Sequence, residues 1–174
     1  MKAFVIFDRD GTIIDHVHHL KDPELVRIKI DLVESLSKLR KAGFGFGMVT
    51  NQSIIGRGIA THQEVNAINE KVINHLASHH LAFDFVYVCP HLDEDDCECR
   101  KPALKLGHRA IIEHDLTPAQ SYVIGDQESD LIFGKNLGCS TIQVKANAEK
   151  SGYADYYSET LSQAVNWILS RAKS

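Results

Sequence analysis

The sequence runs to 174 residues, 44% apolar and 24% charged, with a formal net charge of −4. That is ordinary globular usage with enough chain to bury one core; it excludes disorder and offers no electrostatic pull toward nucleic acid or an anionic membrane. Four cysteines are too few for a disulfide scaffold, yet Cys89, Cys97 and Cys99 crowd together, which in a reducing compartment reads as metal binding.

In chain order, the apolar run Ala3–Phe7 reads as a buried strand and is too short for a signal peptide or a membrane span, so the expected location is the cytoplasm. Leu32, Val33, Leu36 and Leu39 mark one helical face, ended by Gly43. A second strand covers Gly45–Thr50. Thr61 and Glu64 form a capping box before a helix whose apolar face is Val65, Ile68, Val72 and Leu76. Strands follow at Phe85–Cys89, Ser121–Gly125 and Ser140–Val144, with helices at Ala103–His114, at Leu131–Leu137 before Gly138, and around Leu161, Ala164, Val165 and Ile168. The segments Asp15–Arg27, Gln52–Ala60, Pro90–Pro102 and Lys145–Tyr157 read as irregular. This alternation predicts an α/β protein, a Rossmann-like three-layer α/β/α arrangement with a mostly parallel central sheet. With no internal repeat and no linker, residues 1–174 are expected to form one domain.

Ligands bind beyond the carboxyl ends of strands in such sheets. After the first strand stand Asp8 and Asp10, able to share a hard cation. A calcium loop also opens with Asp-x-Asp, but Ile13 and His19 occupy its glycine and glutamate positions. After the fourth strand stand Asp126 and Asp130. Either alone could cap a helix; together with Asp8 and Asp10 they would repel one another without a cation, which reads as a Mg²⁺ site. The third strand runs into CPHLDEDDCECRKP, residues 89–102. There Cys89, His91, Cys97 and Cys99 make a closed set suited to a structural zinc, with Arg100 and Lys101 held just beyond it for a phosphate. Cys139 reads as a small core residue. His16, His18 and His19 lack partner ligands at metal spacing, so they read as substrate contacts or solvated side chains. Gly43, Gly45 and Gly47 enter a strand instead of leaving one, which excludes a dinucleotide loop.

Asp8-Arg9-Asp10-Gly11-Thr12, Thr50-Asn51, Lys101-Pro102 and Gly125-Asp126 with Asp130 occur in an order that resembles the haloacid dehalogenase (HAD) superfamily of phosphotransferases. The Cys-x-His…Cys-x-Cys-Arg-Lys-Pro loop is similar to the branch containing D-glycero-D-manno-heptose 1,7-bisphosphate phosphatases and histidinol-phosphate phosphatases. Residues 50–58, Asp15-His16 and the stretch from Ala154 to Ile168 resemble the heptose enzymes. The short zinc loop, Lys101–Leu106 and Ser121–Asp126 are closer to the histidinol enzymes. Heptose enzymes usually carry Pro-Gly-Met after the Lys-Pro and a lysine where Gln127 stands.

The resemblance implies a HAD-like fold without a separate cap domain and a phosphomonoester hydrolase using Mg²⁺, with zinc structural. It makes Asp8 the nucleophile that becomes an aspartyl phosphate, and Asp10 the acid and then the base. The acid role needs Asp10 protonated when substrate arrives, with its pKa raised. Asp8, the Asp10 carbonyl and Asp126 would hold Mg²⁺, with Asp130 orienting that shell. Thr50 and Lys101 would bind the phosphoryl oxygens, and Arg100, Asn51, Ser53, Arg57, Asp15 and His16 the rest of a small phosphorylated substrate. Heptose 1,7-bisphosphate leads and histidinol phosphate is the alternative. A 3′-phosphatase of nucleic-acid ends shares the motifs, but no basic stripe or stacking aromatics accompany them. A phosphoacceptor or binding module without turnover would need no Asp10. The chain is expected to be a monomer without nucleic-acid or membrane partners.

Overall fold

The computed structural model describes residues 2–172. Its strands are β1 (Phe4–Phe7), β2 (Gly45–Asn51), β3 (Phe85–Cys89), β4 (Tyr122–Gly125), β5 (Ser140–Val144) and β6 (Tyr156–Ser158). Its α-helices are α1 (Leu32–Lys41), α2 (Ser53–Gly56), α3 (His62–Ala77), α4 (Lys105–His114), α5 (Glu128–Leu137) and α6 (Leu161–Arg171). All six strands are parallel, in the order β3-β2-β1-β4-β5-β6.

Parallel strands covered on both faces should be apolar throughout, and β1 and β4 are buried at every residue. The edge strand β3 alternates buried and half-buried residues. Val5 and Phe7 face one layer, where α1, α3 and α6 contribute Leu36, Leu39, Ile68, Val72, Val165 and Ile168. Phe4 and Ile6 face the other, filled by Leu106 and Ala110 of α4 and Phe133 and Leu137 of α5. Cys139 lies buried in that second layer. The glycines of β2 have a packing reason: a Cβ on Gly47 would come 2.2 Å from the Phe85 ring.

The expected strands all form within one residue of their bounds. Besides 3-10 turns at Pro23–Leu25 and Asp93–Asp95, an α-helix and a strand arise in segments expected to be irregular. The short helix α2 forms in Gln52–Ala60, and β6 adds to the β5 edge through only three residues, too few for an apolar run to announce it. Among the described residues no helix is long and apolar enough to cross a membrane.

The chain runs outward from β1 to β3 on one side and from β4 to β6 on the other. The order therefore reverses between β1 and β4, and a crevice opens beyond their carboxyl ends. Asp8 follows β1 directly and Asp126 follows β4 directly.

Candidate functional site

The Asp8 N–H donates to the Ile124 carbonyl at 2.9 Å, extending the β1–β4 ladder by one residue and holding the side chain at the crevice. The chain then turns sharply, with Ile13 and Ile14 N–H both bonded to the Arg9 carbonyl. Gly11 makes the turn with φ +82°, and a Cβ there would meet Asp126 Oδ2 at 2.7 Å. Gly11→Ala should therefore cost about 1–2 kcal/mol of backbone strain and push Asp126 aside. The expected result is a lower melting temperature and weaker stabilisation by added Mg²⁺, both read from thermal melts with and without the ion.

Lys101 is the hub. Its buried ammonium lies 2.7 Å from Asp8 Oδ1, 2.6 Å from Asp130 Oδ1 and 2.6 Å from the Val49 carbonyl, which occupies all three donors. Asn51 fixes its backbone from both ends, Nδ2 donating to the Lys101 carbonyl and Oδ1 accepting from its N–H, each at 3.0 Å. The other oxygen of Asp130 caps α5 by accepting from Gln127 N–H at 3.1 Å. Burial alone would depress the ammonium, but Asp130 and Asp8 outweigh it and raise Lys101, so it stays charged. Burial pushes the Asp8 carboxyl up to about 7, opposed by Lys101 and reinforced by Asp130.

Asp8, Asp126 and Asp130 bring one carboxylate oxygen each within 4.8 Å of one another. Asp126 Oδ1 is buried without a hydrogen-bond partner, and its carboxyl is raised first by burial and then by Asp130. An orphaned carboxylate oxygen beside a second carboxylate fits a hard cation such as Mg²⁺. Both oxygens of Asp130 are already engaged, which leaves Asp8 and Asp126 as the pair that suits the ion.

Asp10 is surrounded by donors. Arg9 Nε and Gln52 Nε2 reach Oδ2 at 3.1 and 2.7 Å, and Arg9 Nη2 reaches Oδ1 at 3.2 Å. Both oxygens of the carboxyl expected to act as the acid are thus met by side-chain donors. Arg9 is itself buried and donates through Nη1 to Asn69 Oδ1 at 2.8 Å. Gln52 Nε2 also donates to Thr50 Oγ1 at 2.7 Å. No role for Arg9, Gln52 or Asn69 is among the sequence expectations. Asn69 did leave a signal: it falls on the apolar stripe of α3 beside Val65, Ile68 and Val72, where a polar side chain needs a buried partner.

A cavity of about 680 Å³ opens over this floor. It gathers Asp8, Asp10, His16, Asn51, Ser53, Arg57, Arg100 and Lys101, as the sequence expects. Thr50 is buried and reaches the cavity through Gln52. Asp15 does not line it: its carboxylate pairs with Lys29 at 2.6 Å. His18 and His19 join the wall, their rings tilted against each other with centroids 3.7 Å apart. Burial, His18 and Arg57 together hold the His19 imidazole below its usual range.

The loop beyond β3 closes on itself. Cys89 Sγ lies 3.1 Å from Cys99 Sγ and 3.7 Å from Cys97 Sγ, and His91 Nδ1 lies 3.1 Å from Cys99 Sγ. Sulfur atoms around a tetrahedral zinc stand about 3.8 Å apart, given Zn–S bonds of about 2.3 Å, so the four side chains are nearly preset for the ion. Arg100 pairs with Asp93 within the loop.

The HAD-hydrolase-like family model matches residues 98–165. The D,D-heptose 1,7-bisphosphate phosphatase of B. bronchiseptica, solved with magnesium and phosphate, superposes with a TM-score of 0.87 at 26% identity, covering 98% of this chain and 99% of that one. The chain is similar to the HAD-like family, over residues 98–165 by the family model and over the whole fold by structure. The Burkholderia thailandensis D,D-heptose 1,7-bisphosphate phosphatase shares the fold, with a TM-score of 0.67 at 23% identity over 97% of this chain and 99% of that one. In sequence, the histidine biosynthesis bifunctional protein HisB of Legionella pneumophila (strain Lens) is 34% identical over 83% of this chain and 42% of its own length. HisB of Campylobacter jejuni subsp. doylei is 36% identical over 79% and 40%. The chain thus spans about two fifths of the length of the curated relatives it matches.

Proposed function

We propose that this chain is a Mg²⁺-dependent phosphomonoester hydrolase that forms an aspartyl phosphate on Asp8, with residues 1–174 acting as one catalytic domain. The observation that carries this reading is Asp8, which lines an open cavity and is held to Lys101 by one oxygen, standing beside Asp126 with its unpartnered Oδ1. Asp8 Oδ1 accepts from Lys101, and Oδ2 has no hydrogen bond among the described residues, so it is free to attack phosphorus. Asp8, Asp126 and the Asp10 carbonyl would hold the ion, which supplies positive charge against the repulsion between a carboxylate and a phosphate dianion. Asp10 gives its proton to the departing alkoxide and then takes one from the water that splits the aspartyl phosphate. Thr50 donates its hydroxyl hydrogen to a phosphoryl oxygen. Lys101, whose donors are filled, acts mainly by keeping positive charge under Asp8 and the incoming phosphoryl.

For the substrate, the cavity rim favours a second anion. Arg57, Arg100, His18 and His19 stand around the mouth. They suit the distal phosphate of a heptose bisphosphate better than the ammonium and imidazole of histidinol phosphate. The second reading, histidinol phosphate, rests on the HisB relatives at 34–36% identity. Zinc on Cys89, His91, Cys97 and Cys99 would set the wall that carries Arg100.

The test is phosphate release with Mg²⁺ from both substrates, with Asp8→Asn as the blank. The heptose bisphosphate is expected to lead in kcat/KM by about a hundredfold, equivalent to roughly 2.7 kcal/mol of transition-state binding. A lead for histidinol phosphate reverses the substrate and leaves the mechanism. No turnover of either above the blank overturns the hydrolase.

A further inference from the structure

We propose that Gln52 is a positioning residue, which sets the carboxyl of Asp10 and the hydroxyl of Thr50 through one amide. The inference rests on the phosphatase reading above. Gln52 is 5% exposed, and its Nε2 lies 2.7 Å from Asp10 Oδ2 and 2.7 Å from Thr50 Oγ1. An atom that meets a carboxylate oxygen at that distance must be the donor nitrogen, so the amide orientation is fixed. Its two hydrogens are then both used, one on each partner.

Two consequences follow for the reaction. Thr50 Oγ1 has an acceptor site filled by Gln52, so the hydroxyl hydrogen is left to point elsewhere as a donor. Asp10 Oδ2 takes Gln52 and Arg9, whereas Oδ1 takes only Arg9 Nη2, at 3.2 Å. Oδ1 is therefore the oxygen with room for the proton. In the first half-reaction the bond from Asp8 to phosphorus forms as the bond from phosphorus to the leaving oxygen breaks, and the Oδ1 proton moves to that oxygen. Arg9, tied to Asn69, holds one side of the Asp10 carboxyl and Gln52 the other. Loss of Gln52 frees the carboxyl to rotate, and a misplaced acid loses most of its advantage.

The test uses the dependence on the leaving group. An alkyl phosphate needs its departing oxygen protonated, whereas p-nitrophenyl phosphate releases a stable phenolate. kcat/KM is measured for whichever alkyl phosphate above is turned over and for p-nitrophenyl phosphate, in wild type, Gln52→Met and Gln52→Glu. Both variants keep the size of the side chain; methionine removes the donors and glutamate turns one into a repelling carboxylate. The ratio of the two substrates on one enzyme sample cancels the folded fraction and any uniform effect through Thr50. The alkyl-to-aryl ratio is expected to fall about tenfold or more in both variants, a fraction of the 10²–10⁴ typical of a general acid. An unchanged ratio in variants that still turn over overturns the role of Gln52 while the hydrolase stands. Wild type without turnover above the Asp8→Asn blank overturns the hydrolase itself.

Discussion

Lys101→Met is expected to lower turnover about a thousandfold and to destabilise the fold by about 3–5 kcal/mol, because it strips a buried cation from two buried carboxylates. The methionine fills the space but leaves Asp8 and Asp130 facing each other with no charge between them, and the Val49 carbonyl loses its donor. The pH dependence has a definite sign. Asp8 is already raised to about 7 by burial, so the metal-free fold binds a proton that the unfolded chain releases near 4. Stability then declines as pH rises between those values, since the native state holds more protons there. Without the ammonium, which opposes the rise, the Asp8 carboxyl rises further, and the decline should deepen and extend beyond pH 7. Urea melts of the metal-free variant at pH 5 and pH 8 test this; a variant equally stable at both would show that the carboxylates do not interact as described. Lys101→Met combined with Asp130→Asn should regain much of the stability, since the amide keeps an oxygen for Gln127 N–H and removes one charge. It should regain none of the activity, which is expected to stay about a thousandfold down for want of positive charge beneath Asp8.

The residues around Lys101 also show which features the sequence could carry. Strands β1, β2 and β4 were legible because a doubly covered parallel strand is a largely apolar run. The edge strand β6 was not, since Tyr156, Tyr157 and Ser158 are polar enough to pass for loop and gain their place only by pairing with β5. Among the candidate ligands, Asp8 and Asp126 stand directly after β1 and β4, so the fold rule brings them together without knowledge of any contact. Arg9 and Gln52 could not be found that way. Arg9 sits between two aspartates where a solvated side chain is the natural expectation, and its burial depends on Asn69, sixty positions along the chain. Expected substrate contacts divide for a similar reason. Arg57 and His16 reach the cavity, but Asp15 beside His16 turns toward Lys29, fourteen residues away, a pairing that local sequence does not encode.

Zinc removal tests the second large dependence. The loop from Pro90 to Arg100 buries little of its own, and its residues are half-buried or exposed throughout. What closes it is the convergence of Cys89, His91, Cys97 and Cys99, and Cys89 is a thiol pushed up to about 12 by burial, which resists ionisation unless a metal takes the sulfur. The purified protein is expected to carry one zinc, and chelation or Cys97→Ser should lower the melting temperature by about 10 °C, as a loss of roughly 3–5 kcal/mol would in a chain of this length. The kinetic effect should be selective. Arg100 follows the last ligand and donates at 3.4 Å to the His91 carbonyl, so it should leave the cavity wall when the loop opens, and KM should rise about tenfold. Lys101 is held independently, by Asn51 along its backbone and by Asp8 and Asp130 at its ammonium. Turnover at saturating substrate should therefore fall much less than affinity does. Equal melting temperature and equal KM in zinc-free protein would exclude the metal from shaping the site, whereas a collapse of kcat with KM preserved would mean that Lys101, not Arg100, depends on the loop.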